Sequence, residues 1–146
     1  MRRALLLCTS HNDLGLVRAL RKLGYYIIAT GDRPGAPGER WVDEYIKADY
    51  SDKDLILEIA YRKEIDVICP CCNDFGVYTA AYVAEKMGLG CFDTYETTLL
   101  LHNKDRFKKF SEKYDILTPR AHTYNNPENA LKDIKNMPYP IMIKPT

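Results

Sequence analysis

The segment Ala4–Cys8, ALLLC, is a short unbroken apolar run. A strand with one wet face alternates polar and apolar residues, whereas a continuous run suits a central strand covered on both faces. A strand of that kind needs neighbours in a sheet and helices above and below it, which points the chain to an α/β layered fold. The rest of the first hundred residues keeps that rhythm. After the polar turn TSHND, Leu16, Val17, Leu20 and Leu23 recur at helical spacing, and Gly24 stands where a helix end needs a left-handed residue. YYIIAT, Tyr25–Thr30, is a second β-rich run, followed by the glycine- and proline-dense loop GDRPGAPGER. Val42–Ala48 is expected as a third strand. Ser51 and Asp54 have the spacing of a capping box before a helix that buries Leu55, Ile56, Ile59 and Ala60. Asp66–Pro70 is a fourth strand, and after NDFG a helix runs from about Val77 to Met87, closed by Gly88. Strand and helix alternating at this interval predict βαβ units and an open, mainly parallel, Rossmann-like sheet with helices on both faces.

Size and charge narrow the function. A chain of 146 residues with 46% hydrophobic content sustains one domain with a core, or one domain and part of a second. With 21 basic and 20 acidic side chains the net charge is +1, so no basic excess argues for nucleic acid. Nor does the charge favour a membrane. In MRRALLLCTSHND the apolar stretch is too short for a signal-peptide core or a span, so a cytoplasmic protein is expected. Five cysteines, an odd number, fit a reducing compartment with free thiols.

In an open α/β sheet, ligands bind beyond the carboxyl ends of the strands, which directs attention to the loops Thr9–Asp13, Gly31–Gly38 and Cys71–Gly76. A dinucleotide site fails its own test. CTSHNDLG carries one glycine where the pyrophosphate fingerprint needs three, although Asp32 does end the second strand. Cys69, Cys71 and Cys72 suit either a thiol or metal site or small core and loop positions. Their spacing lacks the matching knuckle of a zinc site, and Cys8 and Cys91 sit singly in apolar surroundings.

The chain changes character after Cys91. Thr94–Leu101 reads as a short helix or linker, and Asn103 is a good N-cap for a helix carrying Phe107, Phe110 and Tyr114 on one face. Lys104 then falls in the first turn, where a cation opposes the helix dipole by about 0.3–1 kcal/mol. DILTPRAHT reads as a helix exit into a strand over Ala121–Tyr124, and Pro127–Asn136 as another short helix. A last strand, Ile141–Lys144, puts Ile141 and Ile143 on one face and Met142 and Lys144 on the other. A lysine leaving such a strand either snorkels to water or meets an anion. Exposed edges there would also allow pairing with a second copy, a homodimer.

The order of features from HNKDRFKKFSEKYDILTPRAHTY to MPYPIMIKPT resembles the ATP-grasp ligases, such as biotin carboxylase, the carbamoyl phosphate synthetase large subunit and glycinamide ribonucleotide synthetase. Those proteins have a lysine opening a helix, as in Asn103-Lys104, a "TP" turn, as in Thr118-Pro119, and a strand ending "IKP", as in Ile143-Lys144-Pro145. VDEYIKAD and IDVICPCCNDFGVYTAAYVAEKMGL similarly look like the family's preceding Rossmann-like domain. The resemblance implies a pre-ATP-grasp domain over 1–93, then a linker and the first elements of a truncated α+β ATP-grasp lobe over 94–146. It also implies ATP-dependent carboxylate–amine, or carboxylate–nucleophile, ligation through an acyl phosphate, with a small carboxylate as substrate and ATP and Mg2+ as cofactors. Lys104 and Lys144 would contact the nucleotide phosphates. Ser10, His11, Asn12, Asp32, Asn73 and Asp74 would lie in the substrate-side loops. No Mg2+ ligand and no catalytic residue is carried by this stretch, so the chain alone is expected to be inactive. The alternative is a non-catalytic α/β ligand-binding or oligomerisation module. Nucleic acid and membrane are not expected partners.

Overall fold

A computed structural model describes residues 1–90 and 92–144. Cys91 and the Pro145 of the IKP sequence lie outside them. The chain divides into two compact units, Met1–Thr98 and Leu99–Thr146, so the division falls within a helix that begins just after the expected 93/94 boundary.

The first unit is a four-stranded parallel sheet in the order β3-β2-β1-β4, built from β1 (Arg3–Leu6), β2 (Tyr26–Gly31), β3 (Glu44–Lys47) and β4 (Val67–Cys69). β1 is central, and Ala4, Leu5, Leu6 and Leu7 are each 0% exposed. Alternation along the strand sends them to opposite faces. Leu5 and Leu7 join Ile28 and Ile68 against Ile56, Ile59 and Ala60 of α2 (Lys53–Lys63) and Ala80, Val83 and Ala84 of α3 (Asp74–Met87). Ala4 and Leu6 join Ile27 and Ala29 against Val17 and Leu20 of α1 (Leu14–Lys22), which follows a 3-10 turn at His11–Asp13. The continuous apolar run is therefore two half-faces in one strand.

Helix ends follow local chemistry. Gly24 and Gly88 take left-handed conformations, with φ of 76° and 66°, after α1 and α3. The Asn73 side chain accepts from Gly76 N and starts α3 at Asp74, a turn earlier than expected. The capping box at Ser51 and Asp54 does not form. Asp52 caps α2 by accepting from Leu55 N at 3.1 Å, while the Ser51 hydroxyl donates back to Asp49 at 2.7 Å. Leu55 is correspondingly exposed rather than buried, because the inward face of α2 is set by Ile56, Ile59 and Ala60.

Around the division, α4 spans Tyr95–His102. In the second unit, Asn103 caps α5 (Lys104–Lys113) through Arg106 N at 3.1 Å, and the Phe110 and Tyr114 rings pack with centroids 4.7 Å apart. Asn126 caps α6 (Pro127–Asp133), which runs into a 3-10 turn at Ile134–Asn136. Ala121–Tyr124 and Ile141–Lys144 are not strands, contrary to the expectation for both. A strand exists only by pairing, and among the described residues neither segment has a ladder partner. Among the described residues, no helix is long and apolar enough to cross a membrane.

Two glycines test the packing. A Cβ on Gly76 would lie 2.5 Å from Pro70 O, whereas one on Gly15, inside α1, would meet nothing within 4 Å. Gly76→Ala is expected to lower stability by about 1–3 kcal/mol and Gly15→Ala to raise it by about 0.5–1 kcal/mol, read from urea midpoints. Equal midpoints for the two variants would contradict the backbone approach at Gly76.

Candidate functional site

Strand order alone creates a cleft. The chain leaves β1 for β2 and β3 on one side, then crosses back to β4 on the other, so the order reverses between β1 and β4. The helices following these two strands, α1 and α3, cover opposite faces of the sheet. In open α/β sheets the turns diverge at such a reversal and form a crevice at the carboxyl edge, where ligands are taken.

Asp13 fastens the two walls of this crevice. It is 2% exposed and accepts from Ser10 N at 2.7 Å, from the Ser10 hydroxyl at 2.6 Å and, across the crevice, from Cys72 N at 3.0 Å. Burial alone would raise its carboxyl, but the bonds from Ser10 and Cys72 outweigh that and hold it below the usual carboxylate range. Ser10 and Asp13 stand at the S-x-x-D spacing that the sequence offered at Ser51–Asp54 and that SHND carries equally plainly. On the neighbouring side, Gly38 N donates to Thr9 O at 2.8 Å, and a Cβ on Gly38 would come within 2.8 Å of Thr9 Cβ. The loop beyond β2 therefore rests directly on the β1 turn. The buried Thr9 hydroxyl has no hydrogen-bond partner among the described residues.

The residues singled out from sequence fall into two groups. His11 and Asn12 are exposed on the β1 turn, and Asp74 is exposed at the first position of α3, where a carboxylate complements the helix dipole. Asp32 is exposed just past β2, with its carboxylate 3.6 Å from Arg33 Nε. Ser10 and Asn73, by contrast, are committed to the loops themselves. Ser10 is held by Asp13, and Asn73 donates to Pro70 O at 2.8 Å while accepting from Gly76 N. Asp13, Thr9 and Gly38 did not stand out in the sequence, and of these only Asp13 carried a spacing signal.

The cysteines line the same edge. The Cys71 thiol donates to the Cys8 carbonyl at 3.2 Å, and burial pushes both the Cys71 and Cys8 thiols up. Cys69 is likewise raised by burial, and Cys72 is exposed. Among the described residues, no three His, Cys, Asp or Glu side chains stand where they could hold a metal ion.

In the second unit, Lys104 is exposed at the first position of α5, and Lys144 is exposed at the end of the described chain. Lys108 was not singled out from the sequence. Its ammonium donates to the Thr118 hydroxyl at 2.8 Å, tying α5 to the turn at Thr118-Pro119.

Comparison with protein-family models finds no match. The chain is 26% identical over 128 residues to the formate-dependent phosphoribosylglycinamide formyltransferase of Synechococcus sp. (strain CC9605), covering 87% of this chain and 32% of that protein. The namesake from a Nitratiruptor species is 23% identical, over 86% of this chain and 32% of its own length. Phosphoribosylglycinamide synthetase from Anaerococcus prevotii superposes with a TM-score of 0.75 at 27% identity, over 95% of this chain and 35% of that one. The biotin carboxylase domain of Hydrogenobacter thermophilus 2-oxoglutarate carboxylase, a dimer in complex with MgADP, ADP and bicarbonate, superposes at 0.70 with 19% identity, over 95% and 33%, and shares the fold alone. These neighbours are ATP-grasp ligases, and the four-stranded parallel sheet with its flanking helices matches them. The chain spans about a third of the length of the curated relatives it matches.

Protonating Asp13 or replacing it should loosen the crevice. Its folded pKa is depressed, so its contribution is present above the unfolded carboxylate pKa of about 4 and is lost as pH falls through the lower folded value. Asp13→Asn is expected to cost about 1–3 kcal/mol at pH 7, with the gap to wild type narrowing below about pH 4. Asp43 and Asp49 are also depressed, so the difference between the two acid-unfolding curves is the quantity to read. A gap that stays constant with pH would mean the carboxylate charge plays no part.

Proposed function

We propose that the chain is the leading segment of an ATP-dependent ligase that activates a small carboxylate as an acyl phosphate and passes the acyl group to an amine or another nucleophile. The observation that carries this reading is the superposition on phosphoribosylglycinamide synthetase over 95% of the chain. Residues 1–93 then form the pre-ATP-grasp domain, and 94–146 the linker and first elements of the ATP-binding domain. The protein works in the cytoplasm with ATP and Mg2+.

In this reading Lys104 and Lys144 meet the nucleotide phosphates. Phosphoryl transfer concentrates charge on phosphate oxygens, and an ammonium supplied from a fixed element neutralises it as a point charge. Lys104 suits the task because it opposes its own helix dipole, so an anion at that end relieves a cost the helix otherwise carries. His11, Asn12, Asp32 and Asp74 face the second substrate, while Ser10 and Asn73 shape the loops that present them. Phosphoribosylglycinamide is named in both curated relatives and in the A. prevotii structure, so a phosphoribosyl amine compound is the first acceptor class to test. Mg2+ is the charge-neutralising ion of such a reaction, and its ligands are assigned to sequence outside this chain.

Titrating MgADP into the isotopically labelled chain is expected to shift amide signals around Lys104 and Lys144. Lys104→Ala or Lys144→Ala should weaken that binding by at least about tenfold, or about 1.4 kcal/mol. Unchanged affinity in both variants would remove the phosphate roles. The chain alone is expected to turn over no ATP above buffer; turnover abolished by Lys144→Ala would overturn its assignment as an incomplete segment. Coding sequence reading on into a glycine-rich loop and paired acids supports the ligase, whereas a stop codon would leave the non-catalytic α/β module.

A further inference from the structure

The cysteine-rich turn is the feature that ligation leaves unused. Parallel pairing of β1 with β4 sets Ala4 beside Val67, Leu5 beside Ile68 and Leu6 beside Cys69, and Leu7 N still donates to Cys69 O at 3.0 Å. The same offset, if carried past the ends of the strands, would set Cys8 beside Cys71. Adjacent strands lie about 4.8 Å apart, inside the Cα window of about 4.4–6.8 Å that a disulfide requires. The chain leaves the regular ladder there, since Cys71 has a φ of 60°. The two residues nevertheless stay together, with the Cys71 sulfur 3.2 Å from the Cys8 carbonyl oxygen. Cys72 is engaged elsewhere, its thiol as well as its amide being turned to the Asp13 carboxylate.

We propose that Cys8 and Cys71 are a redox-active dithiol that closes to an intramolecular disulfide, with a small-molecule disulfide of the glutathione class as oxidant. The Cys8 thiolate attacks one reagent sulfur and expels the first small thiolate, which takes up the proton that Cys8 gave. The Cys71 thiolate then attacks the Cys8 sulfur of the mixed disulfide and expels the second, which takes up the Cys71 proton. Two protein thiols are oxidised to one disulfide while one reagent disulfide is reduced to two thiols. Burial raises both protein thiols, so their thiolate fraction is small at neutral pH and closure accelerates as pH rises. The product joins the β1 turn to the β4 turn beside the Asp13 link.

The test exposes the fully reduced chain to oxidised glutathione under native conditions, quenches with an alkylating reagent and maps the peptides by mass spectrometry. The expected product is lighter by two hydrogens and joins the peptide containing Cys8 to the one containing Cys69, Cys71 and Cys72. It persists in Cys69→Ser and Cys72→Ser and falls at least about tenfold in Cys8→Ser and Cys71→Ser. Circular dichroism before oxidation separates loss of the pair from loss of the fold, and the wild-type linkage is decisive without any variant that fails to fold. A linkage through Cys72 or Cys91, a bridge between Cys69 and Cys71, or mixed disulfides with glutathione alone would overturn the proposal.

Discussion

Burial of β1 on both faces is the constraint on which the first unit depends. With Ala4, Leu5, Leu6 and Leu7 all at 0% exposure, each of these positions packs against a helix, and Ala4, Leu5 and Leu6 lie within the strand itself. Removing α1 would strip one face of apolar cover, and removing α2 or α3 the other. Because the strands beside β1 belong to opposite arms of the topology, the same central position produces the reversal that opens the crevice. Core and site are two consequences of one strand's placement.

That placement was legible in the sequence. The apolar run, the helical spacing of Val17 and Leu20, and the two glycines that end α1 and α3 each report a local requirement with few alternatives, and the structure meets them. The neighbouring ligases carry the same α/β arrangement that the run implied. Strand order was less legible, since hydrophobic pattern says that a strand is buried without saying beside which other strand. The Ser51–Asp54 pattern misled because two acids and a serine crowd one turn, and Asp52, one residue later, takes the cap. The same spacing at Ser10–Asp13 is masked in the sequence by the general polarity of its loop. Distinguishing the two requires knowing that Asp13 is buried, which is a tertiary fact.

The second unit marks the limit of pattern reading. Its helices follow from caps, Asn103, which was read from the sequence, and Asn126, which the structure adds. Its extended segments do not become strands, because alternation such as that of Ile141–Lys144 describes a readiness to pair, and pairing is supplied by another backbone. Ile143 and Met142 are 82% and 81% exposed, apolar residues of a segment that has the composition of a sheet without its neighbours. Thr118-Pro119 is better explained, since the Lys108 ammonium on its threonine gives that dipeptide a physical role in holding the turn to α5.

The Asp13 carboxylate has a mechanical meaning beyond its hydrogen bonds. One oxygen is held by the β1 turn and the other by the amide of Cys72 beyond β4, so the opposing banks of the crevice are riveted at a single point. The carboxylate that joins them is shielded from water, Asp13 being 2% exposed. The two turns at the carboxyl edge of the sheet thus share one anchor, a buried side chain that belongs to the first turn and closes on the backbone of the second.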